Sequence, residues 1–202
     1  MTGRFIVFEG GEACGKSTQS RRLAESLNAV LTREPGGTVI GGQLRSLLLD
    51  PSTEGLDQRA EALLMAADRA QHLAEVVRPA LAADRHVVSD RSAYSSLAYQ
   101  GYGRGLPLDE VRQISDWASV GVWPDLVVLL EVAPDVAASR LGSGLDRMEQ
   151  LGDEFHGRVA DGFRAMARAE PERWVVIDGG QSVAEVGEAV RAAVRDRLQL
   201  QV

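Results

Sequence analysis

Between Phe5 and Gln19 a short apolar run breaks into glycines and then into a polar, helix-compatible segment, FIVFEGGEACGKSTQ. Gly10, four further residues, then Gly15, Lys16 and Ser17 give the spacing of a phosphate-binding loop, and Phe5 to Phe8 supply the strand that must precede it. Polyphosphate oxygens are met there by backbone N–H groups with no side chain in the way, which glycines at 10, 11 and 15 allow. A helix opening near Lys16 points its free N–H groups and positive end at the same oxygens. Lys16 then reaches the β- and γ-phosphates and Ser17 ligates magnesium, so the expected ligand is a nucleoside triphosphate.

A chain of 202 residues that is 45% hydrophobic and 25% charged buries a substantial core as one domain, 1–202. The first residues lack the charged start and long apolar stretch of a signal peptide, and no apolar run approaches the roughly 20 residues that span a bilayer. The expected location is the cytoplasm, away from any membrane. Cys14, the one cysteine, has no internal disulfide partner, as in a reducing compartment. The net charge of −7 disfavours nucleic acid and suits monomeric phosphates held by arginines gathered in one cleft.

Taken in order, Ser17 to Leu27 reads as a crossover helix and Ala29 to Thr32 as a second strand ending in the loop Arg33-Glu34-Pro35-Gly36-Gly37-Thr38. Gln43 to Leu49 has helical spacing, closed by Pro51. Leu56 to Asp84 is the longest helical pattern, with Pro79 as a kink or division point. His86 to Ser89 is the third strand; SSLAYQGYGRG then begins as helix and ends as a glycine-rich loop. A helix from Asp109 to Val120 leads to the continuous apolar strand Leu126 to Glu131. After a short helix from Pro134 to Leu141 comes the flexible break Gly142-Ser143-Gly144, then helix from Asp153 to Ala169 and a fifth strand, Trp174 to Asp178. Ser182 and Glu185 form a capping box for the last helix, to about Leu200.

Strands alternating with helices imply an α/β fold of the P-loop NTPase type: a five-stranded parallel sheet flanked by helices on both faces, with ligands at the carboxyl ends of the strands. The polar clusters from Glu9 to Lys16, at Arg33, Asp90-Arg91, Glu131 and Asp178-Gly179 all follow strand ends. A phosphate loop alone serves a GTPase, an ATPase or a kinase. Arg33, Arg45, Arg69 and Arg91 point toward a second, phosphate-bearing ligand, because a guanidinium fork suits a phosphate group.

The chain resembles bacterial thymidylate kinases over nearly its whole length. FEGGEACGKSTQ at 8–19, TREPGGT at 32–38 with LRSLLLD at 44–50, AADRAQH at 66–72 and SDRSAYSSLAYQGYGRG at 89–105 carry the match. It continues in PDLVVLLEV, DRMEQLGDEFHGRV and VVID. The resemblance implies transfer of the γ-phosphoryl of ATP to dTMP, giving dTDP, with Mg2+ as cofactor and a homodimer as the assembly. It gives Gly10, Gly11, Glu12, Ala13, Cys14, Gly15, Lys16, Ser17 and Thr18 to ATP, and Ser17 and Asp90 to the metal. Glu12, Arg33, Arg45, Met65, Arg69, Arg91, Ser96 and Gln100 fall to dTMP, the arginines 33, 45 and 91 on its phosphate and Arg69 and Gln100 on the thymine edge. Lys16, Asp90, Arg91 and Arg147 are the implied catalytic set, with Arg147 in a short lid, about 140–152, over ATP, joined by Arg140 and Arg158.

Two positions and the supply of arginines depart from the family. Met65 stands where phenylalanine stacks on the base, which leaves open a broader choice of pyrimidine acceptor. Ser92 stands where an aromatic follows Asp-Arg, with Tyr94 as the nearby substitute. Neither phosphate loop nor lid is rich in arginine. The competing readings are a related nucleotide kinase and a nucleotide-dependent regulatory ATPase; the second leaves the arginines of a second site unexplained.

Overall fold

The computed structural model describes residues 3–142 and 144–202. Met1 and Thr2 of the leader reading, and Ser143 within the lid stretch, lie outside the described residues. Five parallel strands, β1 (Phe5–Glu9), β2 (Val30–Arg33), β3 (Val87–Asp90), β4 (Leu126–Glu131) and β5 (Trp174–Asp178), form one sheet in the order β2-β3-β1-β4-β5. Connections run to one side of β1 for β2 and β3 and to the other for β4 and β5, which opens a crevice at the strands' carboxyl ends. Phe8 lies opposite Asp90 of β3 and Val128 of β4, and Arg33 lies opposite Asp90, so the strand-end polar residues share one rim.

Side-chain alternation divides the core. Ile6, Phe8, Val88, Leu126, Val128 and Leu130 face α1 (Lys16–Leu27) and α9 (Val183–Leu198), while Phe5, Val7, Val87, Val127 and Leu129 face the helices of the opposite layer. Both faces of β1 and β4 are therefore buried, as their continuous apolar runs require. Each fully buried aliphatic or aromatic side chain contributes roughly 1.5–3 kcal/mol over an exposed one.

β4, β5 and α8 (Asp153–Ala169) begin and end where the sequence places them, and Ser182 caps α9 through the expected box. Three helices differ. α2 runs Val39–Leu49, four residues earlier than expected, because Thr38 caps it by accepting from the Gly41 N–H; the cap carries Gly41 and Gly42 into the helix. Pro79 does not divide the long helix. α3 (Gln58–His72) passes through a π-helical segment, Leu73–Val77, into α4 (Arg78–Ala82), with Pro79 directly after the change of helical register. The stretch after β3 stays helical to two residues short of its end, α5 (Ala93–Ser96) continuing as a second π-helical segment, Leu97–Gly103, before Arg104 and Gly105, φ 78°, turn the chain out of the helix. Its Gly103 serves packing rather than a turn: a Cβ there would come within 2.6 Å of the Phe155 ring on α8. Two further helices, α6 (Leu108–Ser119) and α7 (Pro134–Arg140), complete the layers.

Candidate active site

β1 delivers the chain to the phosphate loop at Glu9. Gly10 follows with φ 139°, at a point where a Cβ would lie 2.3 Å from the Leu130 carbonyl oxygen, so the loop can pass β4 only with glycine there. Gly15, at φ 98°, turns the chain into α1, whose first turn holds no acidic residue, and the positive end of the helix is left for an anion. Lys16 is buried and folds over the loop, Nζ donating to the Gly11 carbonyl and lying 3.5 Å from Cys14 Sγ. Ser17 Oγ donates to Asp90 Oδ2 at 2.5 Å, joining helix start to the end of β3. These groups line a cleft of about 570 Å³ that also takes in Glu12, Arg33, Arg45, Arg91 and Arg140.

Arg91 follows β3 with φ 71°, a left-handed conformation that costs a non-glycine residue on the order of 1–2 kcal/mol and that marks functional sites. Its guanidinium donates to the Gly10 carbonyl at 3.1 Å, Ser95 Oγ at 3.3 Å and Glu12 Oε1 at 2.7 Å, over the Tyr99 ring at 5.1 Å. Burial raises the Glu12 pKa, but the Arg91 and Lys16 charges and the Tyr99 hydroxyl outweigh it and hold the carboxyl at about 2. Glu9, fully buried, accepts from Ser92 Oγ at 2.8 Å and Ser95 Oγ at 2.6 Å. There desolvation wins over the serines, Arg91 and Lys16, and the carboxyl sits at about 7.

A second cavity, about 80 Å³, adjoins the cleft across Glu12, Arg45 and Arg91. Its apolar lining comes from Leu49, Met65 and Met148, its polar lining from Arg69, Ser96 and Gln100. Arg69 Nε donates to Glu34 Oε2 at 3.1 Å and Nη2 to Ser96 Oγ at 2.9 Å, while Nη1 is buried without a partner among the described residues. Glu34 also meets His72 Nδ1 at 2.8 Å; burial opposes its charge, and Arg69 and His72 prevail to keep its pKa low. Gln100 Nε2 donates to Glu61 Oε1 at 3.0 Å. Arg45, at the junction of the two cavities, has its pKa lowered by burial and by the charges of Arg33 and Arg91, so three guanidiniums face one space that an anion would relieve.

The structure thus brings together Gly10 to Thr18, Arg33, Asp90 and Arg91, with Arg45, Met65, Arg69, Ser96 and Gln100 around the adjoining cavity. It does not bring Arg147 to the phosphate loop. Arg147 N donates to Leu49 O at 2.9 Å, Nε to Leu48 O at 2.7 Å and Nη2 to Glu61 Oε2 at 2.7 Å, on the far side of the second cavity. Of the lid arginines, Arg140 lines the cleft, donating to Gly179 O at 3.0 Å; Arg158 is tied to Gly103 O and Glu154. Tyr94 does not replace the aromatic missing at Ser92. It is fully buried between Trp123 and Trp174, bonded to Glu170, and the ring under Arg91 is Tyr99. Tyr99 and Glu61 carry no local signal, since their side-chain partners lie tens of residues away.

Parallel sheet, phosphate loop and adjoining arginine-rimmed pocket define a P-loop nucleoside monophosphate kinase. The family model described as "Thymidylate kinase" matches residues 8–190. A thymidylate kinase of Synechococcus sp. (strain JA-3-3Ab) is 50% identical, with 96% of each chain covered, and one of Cutibacterium acnes is 45% identical, covering 96% of this chain and 97% of the relative. The crystal structure of thymidylate kinase from Ehrlichia chaffeensis superposes with a TM-score of 0.79 at 34% identity, over 96% of this chain and 99% of that one. The chain belongs to the thymidylate kinase family, and its reaction is the phosphorylation of dTMP to dTDP.

Proposed function

We propose that ATP seats its phosphates on Gly10 to Thr18, that dTMP fills the adjoining cavity, and that the γ-phosphoryl group passes in line between them across the Glu12–Arg91 pair. The observation carrying this reading is an unused donor in the second cavity, Arg69 Nη1, on a pocket wall it shares with Gln100. Arg69 Nη1, an orphaned donor, meets the O4 of a thymine, and Gln100 Oε1, whose amide nitrogen is already spent on Glu61, accepts from its N3–H. The dTMP phosphate then lies among Arg33, Arg45 and Arg91, whose mutual repulsion it relieves.

Phosphoryl transfer demands positioning and charge neutralisation more than covalent chemistry. Lys16, lifted from the Gly11 carbonyl, reaches the transferring group, Arg91 spans donor and acceptor sides, and Glu12 orients the acceptor sugar. The Ser17 hydroxyl and the Asp90 carboxylate, in direct contact at 2.5 Å, are the hard oxygen pair that would hold Mg2+. When bound, the metal would supply charge neutralisation to the phosphates. No cluster of three or more metal-binding side chains occurs among the described residues, and this site needs none.

Assembly as a homodimer rests on the adjoining helices α2, α3 and α6, which expose Val39, Ile40, Leu47, Leu63 and Trp117. No helix among the described residues is long and apolar enough to cross a membrane. The proposed location is the cytoplasm, where ATP and dTMP are found together.

Coupled measurement of ADP release with ATP and either dTMP, dUMP, thymidine or no acceptor tests the reading. Release should require a phosphorylated acceptor and be greatest with dTMP. Hydrolysis of ATP that no acceptor stimulates would overturn it.

A further inference from the structure

Glu61 on α3 is 1% exposed, yet its carboxylate is fully engaged: Arg104 donates Nε to Oε1 at 3.2 Å and Nη2 to Oε2 at 2.9 Å, Arg147 donates Nη2 to Oε2 at 2.7 Å, and Gln100 donates Nε2 to Oε1 at 3.0 Å. Burial opposes the charge, but the bonds from Arg104, Gln100 and Arg147 keep the carboxyl's pKa below its ordinary value. An ionised carboxylate only accepts, so a glutamine against it can offer only its NH2 group. The amide of Gln100 is thereby fixed in one of its two orientations by a residue outside the nucleotide pocket.

We infer that Glu61 is a positioning residue for choice of the pyrimidine, holding Gln100 so that an acceptor oxygen, and not a donor NH2, faces the base. This rests on the reading above, in which Gln100 meets the base edge. Thymine and uracil present N3–H to that oxygen. Cytosine presents a bare N3, leaving two acceptors opposed, and its exocyclic amine faces the Arg69 donor. Selectivity against cytosine therefore depends on Glu61 as well as on the two side chains at the base. The same carboxylate holds Arg147, and through it the 146–148 strap whose Asp146 and Met148 line the pocket.

Glu61→Gln tests this with no change of volume. One amide oxygen must now serve donors that two carboxylate oxygens served. Charged donors take it, because charge-assisted bonds are roughly twice as strong as neutral ones, and the two shorter contacts, from Arg104 Nη2 and Arg147 Nη2, both sit at the Oε2 position. The new NH2 then faces Gln100, which turns its own oxygen inward and its NH2 toward the base.

The quantity to measure is the ratio of kcat/KM for dTMP to that for dCMP, which a general loss of stability would leave unmoved. It should fall about tenfold or more in Glu61→Gln, the scale of one mispaired hydrogen bond. It should also fall in Glu61→Ala, where the Gln100 amide rotates freely, so the expectation does not hang on one variant folding. Arg147→Met, which leaves the Glu61–Gln100 bond in place, should keep the ratio within about twofold, since that bond alone sets the amide. Gln100→Leu separates the two ideas. A ratio that falls in Gln100→Leu but stays at the wild-type value in both Glu61 variants overturns the positioning role alone. A ratio unmoved by Gln100→Leu overturns the base-edge reading and the inference with it.

Discussion

The Arg91 guanidinium and the Glu12 carboxylate meet at 2.7 Å, and this contact joins the loop that cradles phosphates to the strand end facing the second pocket. Arg91 makes it while also holding the Gly10 carbonyl and Ser95, a three-way arrangement that a lysine's single ammonium does not reproduce. Arg91→Lys should therefore cost about 10²-fold or more in kcat, on the scale of removing one preorganised transition-state donor. Steady-state kinetics with both substrates varied will show it; a change confined to the KM for dTMP would reduce Arg91 to a phosphate ligand.

Glu9 gives the protein a pH dependence of unusual sign. Its carboxyl sits at about 7 in the folded chain, against 4.5 ordinarily. A raised carboxyl pKa means that the folded state holds a proton which the unfolded state releases. Stability is thus unaffected by Glu9 below about pH 4.5 and is lost progressively as pH rises to about 7. At about 1.4 kcal/mol per pKa unit, the loss is on the order of 3 kcal/mol. Glu9→Gln keeps hydrogen bonds to Ser92 and Ser95 and removes the titration. Its stability relative to wild type, from urea unfolding at several pH values, should rise across that window; parallel curves for the two proteins would refute the assignment.

In the proposed mechanism Lys16 serves the reaction rather than the fold. Although buried, it bonds only the loop's own Gly11 carbonyl and lies near Cys14, so Lys16→Ala breaks no connection between elements. Turnover should drop by about 10²-fold or more with little change in Tm. Near-normal turnover of purified Lys16→Ala would remove its assigned role.

The sheet was legible because its signals are local. The β4 run Leu126 to Glu131 is apolar on both faces, and the phosphate loop is specified by residues four or five apart. The helix that swallows Gly101 and Gly103 was not legible, since a glycine that admits Phe155 of α8 reads in the sequence like one that turns the chain. Arg147 shows the same limit within the site. Its place in the lid stretch points toward the donor phosphates, but Glu61, 86 residues earlier, and the carbonyl ends of α2 hold it beside the second cavity. The motif placed Arg33, Arg45, Arg69 and Arg91 in the site; the free edge of Arg69 emerged only once Glu34 and Ser96 were seen to occupy the rest of its guanidinium.

The proposed dimer face can be tested by charge. Leu63 on α3 and Trp117 on α6 project into solvent, Trp117 84% exposed, on helices that lie side by side. An isolated exposed apolar residue is ordinary, but several on adjoining helices mark an association surface. Leu63→Glu and Trp117→Glu should each shift sedimentation from dimer toward monomer without lowering helical content. A wild-type protein that sediments as a monomer at micromolar concentration would exclude this assembly.

With dTMP in the second cavity as proposed, Met65 sets how closely the base is gripped. It lines the second cavity with Met148 and Leu49, so the base is covered by flexible, polarizable side chains rather than by a flat ring. A thioether adjusts to the absence of the thymine methyl, and one methyl group in an apolar pocket is worth only about 1–3 kcal/mol. The protein should accept dUMP with a kcat/KM about 10- to 100-fold below that for dTMP, a penalty set by lost methyl contacts alone. Met65→Phe should lower the KM for both nucleotides by about three- to tenfold, since an aromatic stack adds about 0.5–1.5 kcal/mol to either base. The dTMP-to-dUMP ratio should then hardly move. If Met65→Phe instead tightens dTMP alone, the side chain at 65 reads the methyl group directly and does not merely cover the ring.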